Sequence, residues 1–198
     1  MTFHPRIIGL SGRKGAGKST LARHLADHGF TRMAFADPIK AMIAALYRDA
    51  GMSDIAIEKK LHGFMKEWPC EKLGGKSPRV AMQTLGTDWA RGMIHDDIWI
   101  DIAREKATRM LLDGNMVVID DVRTINEMVM IRAMGGVTID VRRAVANDNV
   151  PADGHVTEAG VPADFATPDF ENADQVKWYA AMIVRNGVTV DIGPHVAP

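Results

Sequence analysis

Eight residues near the start of the chain restrict its fold more than any other stretch: Gly12-Arg13-Lys14-Gly15-Ala16-Gly17-Lys18-Ser19, followed by Thr20. They satisfy the spacing G-x-x-x-x-G-K-[ST], in which glycines let backbone N–H groups turn inward toward one anion. The apolar run Arg6-Ile7-Ile8-Gly9-Leu10-Ser11 precedes them and reads as a buried strand. From Ser19 to His28, Leu21 and Leu25 lie one turn apart beside Ala22 and Ala26, which reads as a helix. Strand, glycine-rich turn and helix together bind phosphate, because the helix N-terminus brings its positive dipole end to the same place. Lys18 then supplies a point charge for the outer phosphates, and the Ser19 hydroxyl is a candidate Mg²⁺ ligand. Similar turns also occur without a ligand, but a chance match to the whole spacing in such a chain is roughly a one-percent event.

At 198 residues the chain has room for one domain with a small lid or insertion, and for a core that needs no staples. Basic and acidic residues balance at 24 and 25, and no basic stripe marks a nucleic-acid surface. Cys70 is the only cysteine, which excludes an internal disulfide and suits a reducing cytoplasm. No apolar run reaches membrane-spanning length, and Met1-Thr2-Phe3-His4-Pro5 lacks a signal-peptide shape. A cytoplasmic location without a membrane partner is the expectation.

Further along, Phe30 to Ala36 alternates as a strand, and Asp37-Pro38 starts a helix with Asp as N-cap and Pro at the first position. Ile39, Met42, Ile43 and Leu46 line one face of it. A short helix over Ser53 to Leu61 leads into an irregular connection from His62 to Pro78 with little core of its own. Arg79 to Ile94 reads as one helix with a packed row, Ala81, Leu85, Trp89 and Met93, and a polar row, Gln83, Thr87 and Arg91. A further helix covers about Asp97 to Leu112. Met116 to Asp121 is the clearest buried strand, followed by a helix from Thr124 to Met134 and a strand from Val137 to Val141. Asn147 to Pro168 reads as a long loop, Ala173 to Asn186 as containing a helix, and Val188 to Ile192 as a short strand. Strands separated by helices predict an α/β fold with a mostly parallel sheet covered on both faces. In such sheets ligands sit at the carboxyl ends of the strands, which gathers the segments at Ser11, Asp37, Asp120 to Arg123 and Arg142 to Arg143.

Five blocks in this order carry a family resemblance. They are Leu10-Ser11-Gly12 to Ser19; Phe35-Ala36-Asp37-Pro38-Ile39-Lys40; Ser77-Pro78-Arg79 through Gln83-Thr84-Leu85-Gly86-Thr87-Asp88-Trp89-Ala90-Arg91 to Trp99; Val118-Ile119-Asp120-Asp121-Val122-Arg123 with Asn126-Glu127; and Asp153-Gly154-His155-Val156-Thr157-Glu158. The sequence resembles the phage-type deoxynucleoside monophosphate kinases of the P-loop kinase superfamily, over most of positions 6 to 160. The first block is shared by many NTPases, and the third is the specific one. The resemblance implies a three-layer α/β/α kinase domain over the whole chain. An acceptor-binding helical region is expected over about 37–113 and a lid-like loop over about 143–168. It also implies ATP with Mg²⁺ as donor, a deoxynucleoside monophosphate as acceptor, and a homodimer. Gly154 departs from the small hydroxyl residue usual there, and Asp88 stands where glutamate is common.

The candidate residues divide by role. ATP falls to Gly12 through Thr20, with Lys18 also catalytic. Asp37 is either a plain helix cap or a group facing the phosphates that holds Mg²⁺-bound water or orients the acceptor. Lys40, Arg79, Gln83, Thr87 and Arg91 are candidate acceptor contacts, since Gln83 can bond a base edge and Arg91 can clamp a phosphate bidentately. Trp89 and Trp99 serve either as core or as stacking platforms, and Trp99 joins the acceptor set. Gly86 in mid-helix gives up about 1 kcal/mol relative to Ala, which points to a close approach. Asp120 and Asp121 point to opposite faces of their strand, so one of them serves Mg²⁺, and the resemblance favours Asp121 with Arg123 as a phosphate contact. Arg143, with Arg142 as competitor, is the candidate transition-state arginine. Asp153, His155 and Glu158 fit a lid better than a metal site.

Rival readings are a kinase for another acceptor (a modified nucleotide, a nucleotide in DNA, or dephospho-coenzyme A), a regulatory NTPase, and a binding module without turnover. Near-neutral charge disfavours the DNA version. The guanine-reading Asn-Lys-x-Asp of a switch GTPase does not occur.

Overall fold

The computed structural model describes residues 2–144 and 162–189. A small antiparallel ribbon pairs β1 (Thr2–Phe3) with β7 (Val188–Thr189). The main sheet contains β2 (Ile7–Ser11), β3 (Phe30–Met33), β4 (Met116–Ile119), β5 (Val137–Arg143) and β6 (Phe165–Phe170). Their spatial order is β3-β4-β2-β5-β6, and every neighbouring pair is parallel. The helices are α1 (Lys18–Asp27), α2 (Asp37–Asp49), α3 (Asp54–His62), α4 (Pro78–Gln83), α5 (Ile98–Leu112), α6 (Ile125–Ala133) and α7 (Ala173–Asn186), with a π-helix over Thr84–Ile94. The chain divides into two compact units, Met1–Ala34 with Ala103–Pro198, and Phe35–Ile102.

In the first unit, β2 is buried at all five positions, as a central parallel strand covered on both faces must be. Ile8 and Leu10 join Leu21, Ala22 and Leu25 of α1 and Val176, Tyr179, Ala180 and Ile183 of α7 in one core. Gly9 faces the other way: a Cβ there would lie 2.5 Å from Ile131 Cδ1, so the missing side chain is what lets α6 close on the sheet. Each fully buried leucine or isoleucine contributes about 1.5–3 kcal/mol. That packing fixes the sheet whose carboxyl edge carries the glycine-rich turn.

β6 begins inside the stretch read from sequence as a loop ending at Pro168 and continues beyond it to Phe170. The strand is there because it forms the sheet edge, where a proline without an N–H is tolerated. The pairing register shifts between Asp140 and Arg142 of β5, opposite Ala166 and Asp169, so Thr167 and Pro168 form an irregularity in the ladder. Asp164 anchors the start of the strand. Its carboxylate accepts from Thr138 N at 2.8 Å and Thr138 Oγ1 at 2.7 Å, and pairs with Arg132 at 2.8 Å. Burial pushes this carboxyl upward, but the bonds from Arg132 and Thr138 outweigh it and hold the group below its ordinary value. A depressed carboxyl pKa stabilises the fold above the unfolded value near ~3.9 and loses that contribution as pH falls through the folded value. Asp164→Asn is therefore expected to lower stability by about 1–3 kcal/mol at neutral pH. Thermal melts should show the gap to the parent closing below pH ~4.

The second unit is helical. Ile43, Ala44 and Tyr47 of α2 meet Ile57 and Leu61 of α3 and Cys70, with Ala81, Met82 and Leu85 packed against them. Met42 and Leu46, expected on the packed face of α2, are instead exposed, because Tyr47 and Ala44 turn the buried stripe away from them. The cap expected at Asp37 is Ala36, and Asp37 is the first residue inside the helix. Ser53 caps α3 by accepting from Ala56 N. Residues 62–78 contain two single-turn 3₁₀ segments, Phe64–Glu67 and Glu71–Leu73. Buried Cys70 and half-buried Leu73 give that connection more core than its composition suggests.

The helix expected over 79–94 is α only to Gln83 and π beyond it, with His95 N donating to Ala90 O five residues back at 2.9 Å. The wider winding changes which side is covered. Gly86 and Ala90 are buried, whereas Trp89 is exposed and Met93 is 75% exposed. The positions expected as Asp153, His155 and Glu158, the middle of the lid-like segment, and the strand beyond Thr189 lie outside the described residues.

Candidate active site

The carboxyl ends of β2, β4 and β5 lie side by side at the centre of the sheet and gather the candidate residues of the first unit. After Ser11 the chain enters a turn with Gly12, Gly15 and Gly17 at φ +124°, +83° and +105°. Gly12 is fixed by space as well as by dihedral, since a Cβ there would collide with the Val141 carbonyl oxygen of β5. The turn closes through Ala16 N donating to Arg13 O at 3.2 Å, and α1 begins at Lys18 with Gly17 as its cap. Glycine at the cap offers no side-chain acceptor, so the first N–H groups of α1 remain available to an anion.

Lys18 curls back over this turn, its ammonium donating to Gly12 O at 2.5 Å and Arg13 O at 2.8 Å. Burial, and then the charge of Arg123, lower its pKa, while Asp120, Asp121 and Asp140 oppose that shift. One cation pulled in both directions by neighbours from the segment after β4 and from β5 marks a concentrated site of mixed charge. Ser19 is exposed and Thr20 half-buried, both in the first turn of α1.

The two acids after β4 have different neighbours. Asp120 is buried, and its carboxylate pairs with Arg32 of β3 at 2.7 Å and accepts from Arg32 Nε at 2.8 Å. Asp121 is half-buried and lies close enough to Lys18 to raise its pKa. Arg123 follows at the mouth of α6. Its backbone N–H donates to Glu127 Oε2 at 2.6 Å, and Thr124 N donates to the same oxygen at 3.0 Å. Thr124 Oγ1 accepts from Glu127 N in return, completing a capping box. Buried Glu127 thus fixes the backbone that carries Arg123.

The arginines after β5 separate. Arg142 Nε donates to Asp140 at 2.9 Å, whereas Arg143 donates to the Gly15 carbonyl of the glycine turn at 3.4 Å. Of the two, Arg143 is therefore the one that reaches the glycine turn. Arg32, Asp140 and Glu127 were not singled out for these roles from sequence. The Thr124-x-x-Glu127 spacing is a readable signature of a capping box, but nothing local marks Arg32 as the partner of Asp120.

In the second unit, Asp37 and Lys40 stand in the first turn of α2, both half-buried. Gln83 ends α4, and Thr87 and Arg91 follow on the π-helix at steps of four, with Gln83 and Arg91 half-buried. Arg79 is engaged by Glu67, its Nε lying 2.7 Å from both carboxylate oxygens. Trp99 is 3% exposed and its indole N–H donates to the Gly86 carbonyl at 2.8 Å. It is a core residue here and offers no face for a base to stack on. The close approach expected at Gly86 is made by Ile39, whose Cδ1 would lie 2.8 Å from an added Cβ.

Comparison with known proteins turns on the stretch that contains the polar row. Residues 65–177 match the family model described as deoxynucleotide monophosphate kinase. A candidate deoxynucleotide monophosphate kinase of Acanthamoeba polyphaga mimivirus is 30% identical over 193 residues, covering 91% of this chain and 88% of that protein. The chain belongs to the deoxynucleotide monophosphate kinase family. The deoxynucleoside-5'-monophosphate kinase of Escherichia phage T5 is 31% identical over 101 residues, covering 48% of this chain and 39% of that enzyme. Among solved structures, TT1252 from Thermus thermophilus shares the fold at a TM-score of 0.50, 19% identity and coverage of 92% and 97% of the two chains. As a member of this family the protein is a kinase with an α/β fold, and no helix among the described residues is long and apolar enough to cross a membrane.

Proposed function

We infer that this kinase transfers the γ-phosphoryl group of ATP to the 5'-phosphate of a deoxynucleoside monophosphate. The observation that carries the reading is Lys18, held at the mouth of a left-handed glycine turn with Arg123 and Asp121 in electrostatic range. An acceptor phosphate oxygen attacks the γ-phosphorus as the bond from the β–γ bridging oxygen breaks. ADP leaves and the acceptor becomes a diphosphate. The transferred group spreads charge over its oxygens, so the protein's task is positioning and neutralisation.

The residues fit the donor. Gly12 through Thr20 would wrap its phosphates with backbone N–H groups, Lys18 would neutralise the outer ones, and Arg123 and Arg143 would add charge at the transferring group. Ser19 and Asp121 would hold Mg²⁺, which neutralises phosphate charge when bound. Asp121 is favoured over Asp120 because Asp120 is already committed to Arg32. Asp37 stands one residue inside the helix start, where its carboxylate lies at the positive end of α2, and the reading gives it the acceptor-orienting role. With Lys40, Gln83, Thr87 and Arg91 it forms the acceptor set, and the second unit is assigned to the acceptor. Trp99, at 3% exposure, leaves that set as a direct contact, and Arg79 stays in it although Glu67 pairs with it. A cytoplasmic location fits a nucleotide-metabolising kinase.

The test is an acceptor panel: the protein with ATP, Mg²⁺ and each common deoxynucleoside monophosphate, reading ADP and diphosphate formation. Acceptor-dependent ADP formation supports the reading, and acceptor-independent hydrolysis or no turnover overturns it. Arg91→Ala should raise the acceptor KM by about tenfold or more while the ATP KM stays within about twofold, the loss of one bidentate phosphate clamp. An unchanged acceptor KM would remove Arg91 from the site.

A further inference from the structure

We propose that Gly86 is a positioning residue for acceptor binding: its missing side chain lets α2 and the π-helix meet at the separation that places Asp37 and Lys40 against Gln83, Thr87 and Arg91. The proposal rests on the acceptor assignment above. Three segments converge on this residue. Ile39 of α2 approaches where a Cβ would stand, at 2.8 Å from its Cδ1 and 3.8 Å from its Cγ1. Trp99 of α5 donates its indole N–H to the Gly86 carbonyl at 2.8 Å, and that nitrogen would lie 3.9 Å from the same Cβ. Gly86 is buried within the π-helix.

The glycine is not required by its backbone, because Gly86 is absent from the positive-φ positions. Space is the reason for it. A glycine inside a helix is about 1 kcal/mol less favourable than alanine, so its retention needs an offsetting gain, and the close fit of Ile39 supplies one. The neighbours give that fit its functional meaning. Ile39 lies between Asp37 and Lys40 in the first turn of α2, and Gly86 lies between Gln83 and Thr87. Ordinary contact begins near 3.4 Å, so an alanine methyl would push the two segments apart by about 0.6 Å unless Ile39 moved. χ1 of β-branched Ile39 is stiff in a helix, so Cγ1 stays in place and the collision at Cδ1 is relieved either by a turn about χ2 or by a shift of the two segments. Displacements approaching 1 Å cost up to about a hundredfold in positioned reactions.

The test compares the parent protein, Gly86→Ala, and Gly86→Ala with Ile39→Val, which removes the colliding Cδ1. Acceptor dissociation constants are measured by calorimetry with the panel's deoxynucleoside monophosphates, and KM values by turnover, well below each melting transition. The expected result is acceptor affinity and acceptor KM worse by on the order of tenfold in Gly86→Ala, an ATP KM within about twofold, and recovery in the double variant. Should Gly86→Ala fail to fold, Trp99→Phe keeps an aromatic ring, though a smaller one, and removes the bond to the Gly86 carbonyl, and the same acceptor-selective loss is expected. Unchanged acceptor affinity, or equal loss on both substrates, overturns the proposal, as does loss without recovery in the double variant. A parent protein that binds deoxynucleoside monophosphates but does not turn them over overturns the kinase reading alone, and the Gly86 comparison is then read from the dissociation constants. A parent protein that binds none overturns both.

Discussion

Lys18→Ala is expected to lower kcat by about 10²–10³-fold while leaving the melting temperature near that of the parent. The ammonium donates to the Gly12 and Arg13 carbonyls, and both belong to a half-exposed turn. Removing it therefore takes little from the core, which lies behind β2 and α1. What is lost is a charge that the phosphates need most as the γ-group transfers, so kcat should fall more than ATP affinity. Steady-state kinetics with a parallel thermal melt check this, and near-parental turnover would remove Lys18 from its assigned role. Because burial and Arg123 already disfavour its charged form, Lys18→Met should also leave Arg123 with one fewer like-charged neighbour.

Gly12→Ala is expected to damage both fold and activity. At φ +124° a side chain is strained by about 1–2 kcal/mol, and the new methyl would run into the Val141 carbonyl of the neighbouring strand. That oxygen belongs to backbone at the centre of the sheet and has no rotamer to change. The combined cost is expected to exceed about 3 kcal/mol, seen as a markedly lower unfolding midpoint together with near-complete loss of turnover. Gly15→Ala is the informative contrast. Gly15 has φ +83° but nothing within 4 Å of an added Cβ, so only the dihedral strain applies and stability should fall far less. Equal damage at both positions would show that strain, not the Val141 collision, dominates.

The readable parts of this chain share one physical property: their signals are local. A central parallel strand is a continuous apolar run, so β2 and β4 stand out, and the glycine spacing between β2 and α1 marks the candidate donor turn before any tertiary contact is known. The parts that did not read cleanly depend on partners far away in sequence. Arg32 binds Asp120 across 88 positions, and nothing near either residue announces it. β6 carries Pro168 and follows a stretch rich in turn-forming residues, so its strand character comes from β5 beside it. On α2, Met42 and Leu46 are as apolar as the residues that are buried, and only the packing of Tyr47 against α3 decides which stripe faces inward.

The π-helix is the sharpest case. Steps of four residues fit both windings, so the row Gln83, Thr87 and Arg91 survives while the packed row shifts from Trp89 and Met93 to Gly86 and Ala90. The sequence does contain a clue in Gly86, since a mid-helix glycine asks what comes close. The answer, Ile39 and Trp99, required the fold.

The irregular pairing at Thr167 and Pro168 bears on how this protein behaves when crowded. An open parallel sheet invites other chains to extend it through the bare amides of its outermost strand. Along β6, the outermost of the described strands on that side, the amide is missing at Pro168 and the ladder is out of step beside it, which breaks the rail an incoming chain would zip onto. Replacing Pro168 with a β-former such as valine is the change by which this margin would become sticky at high concentration.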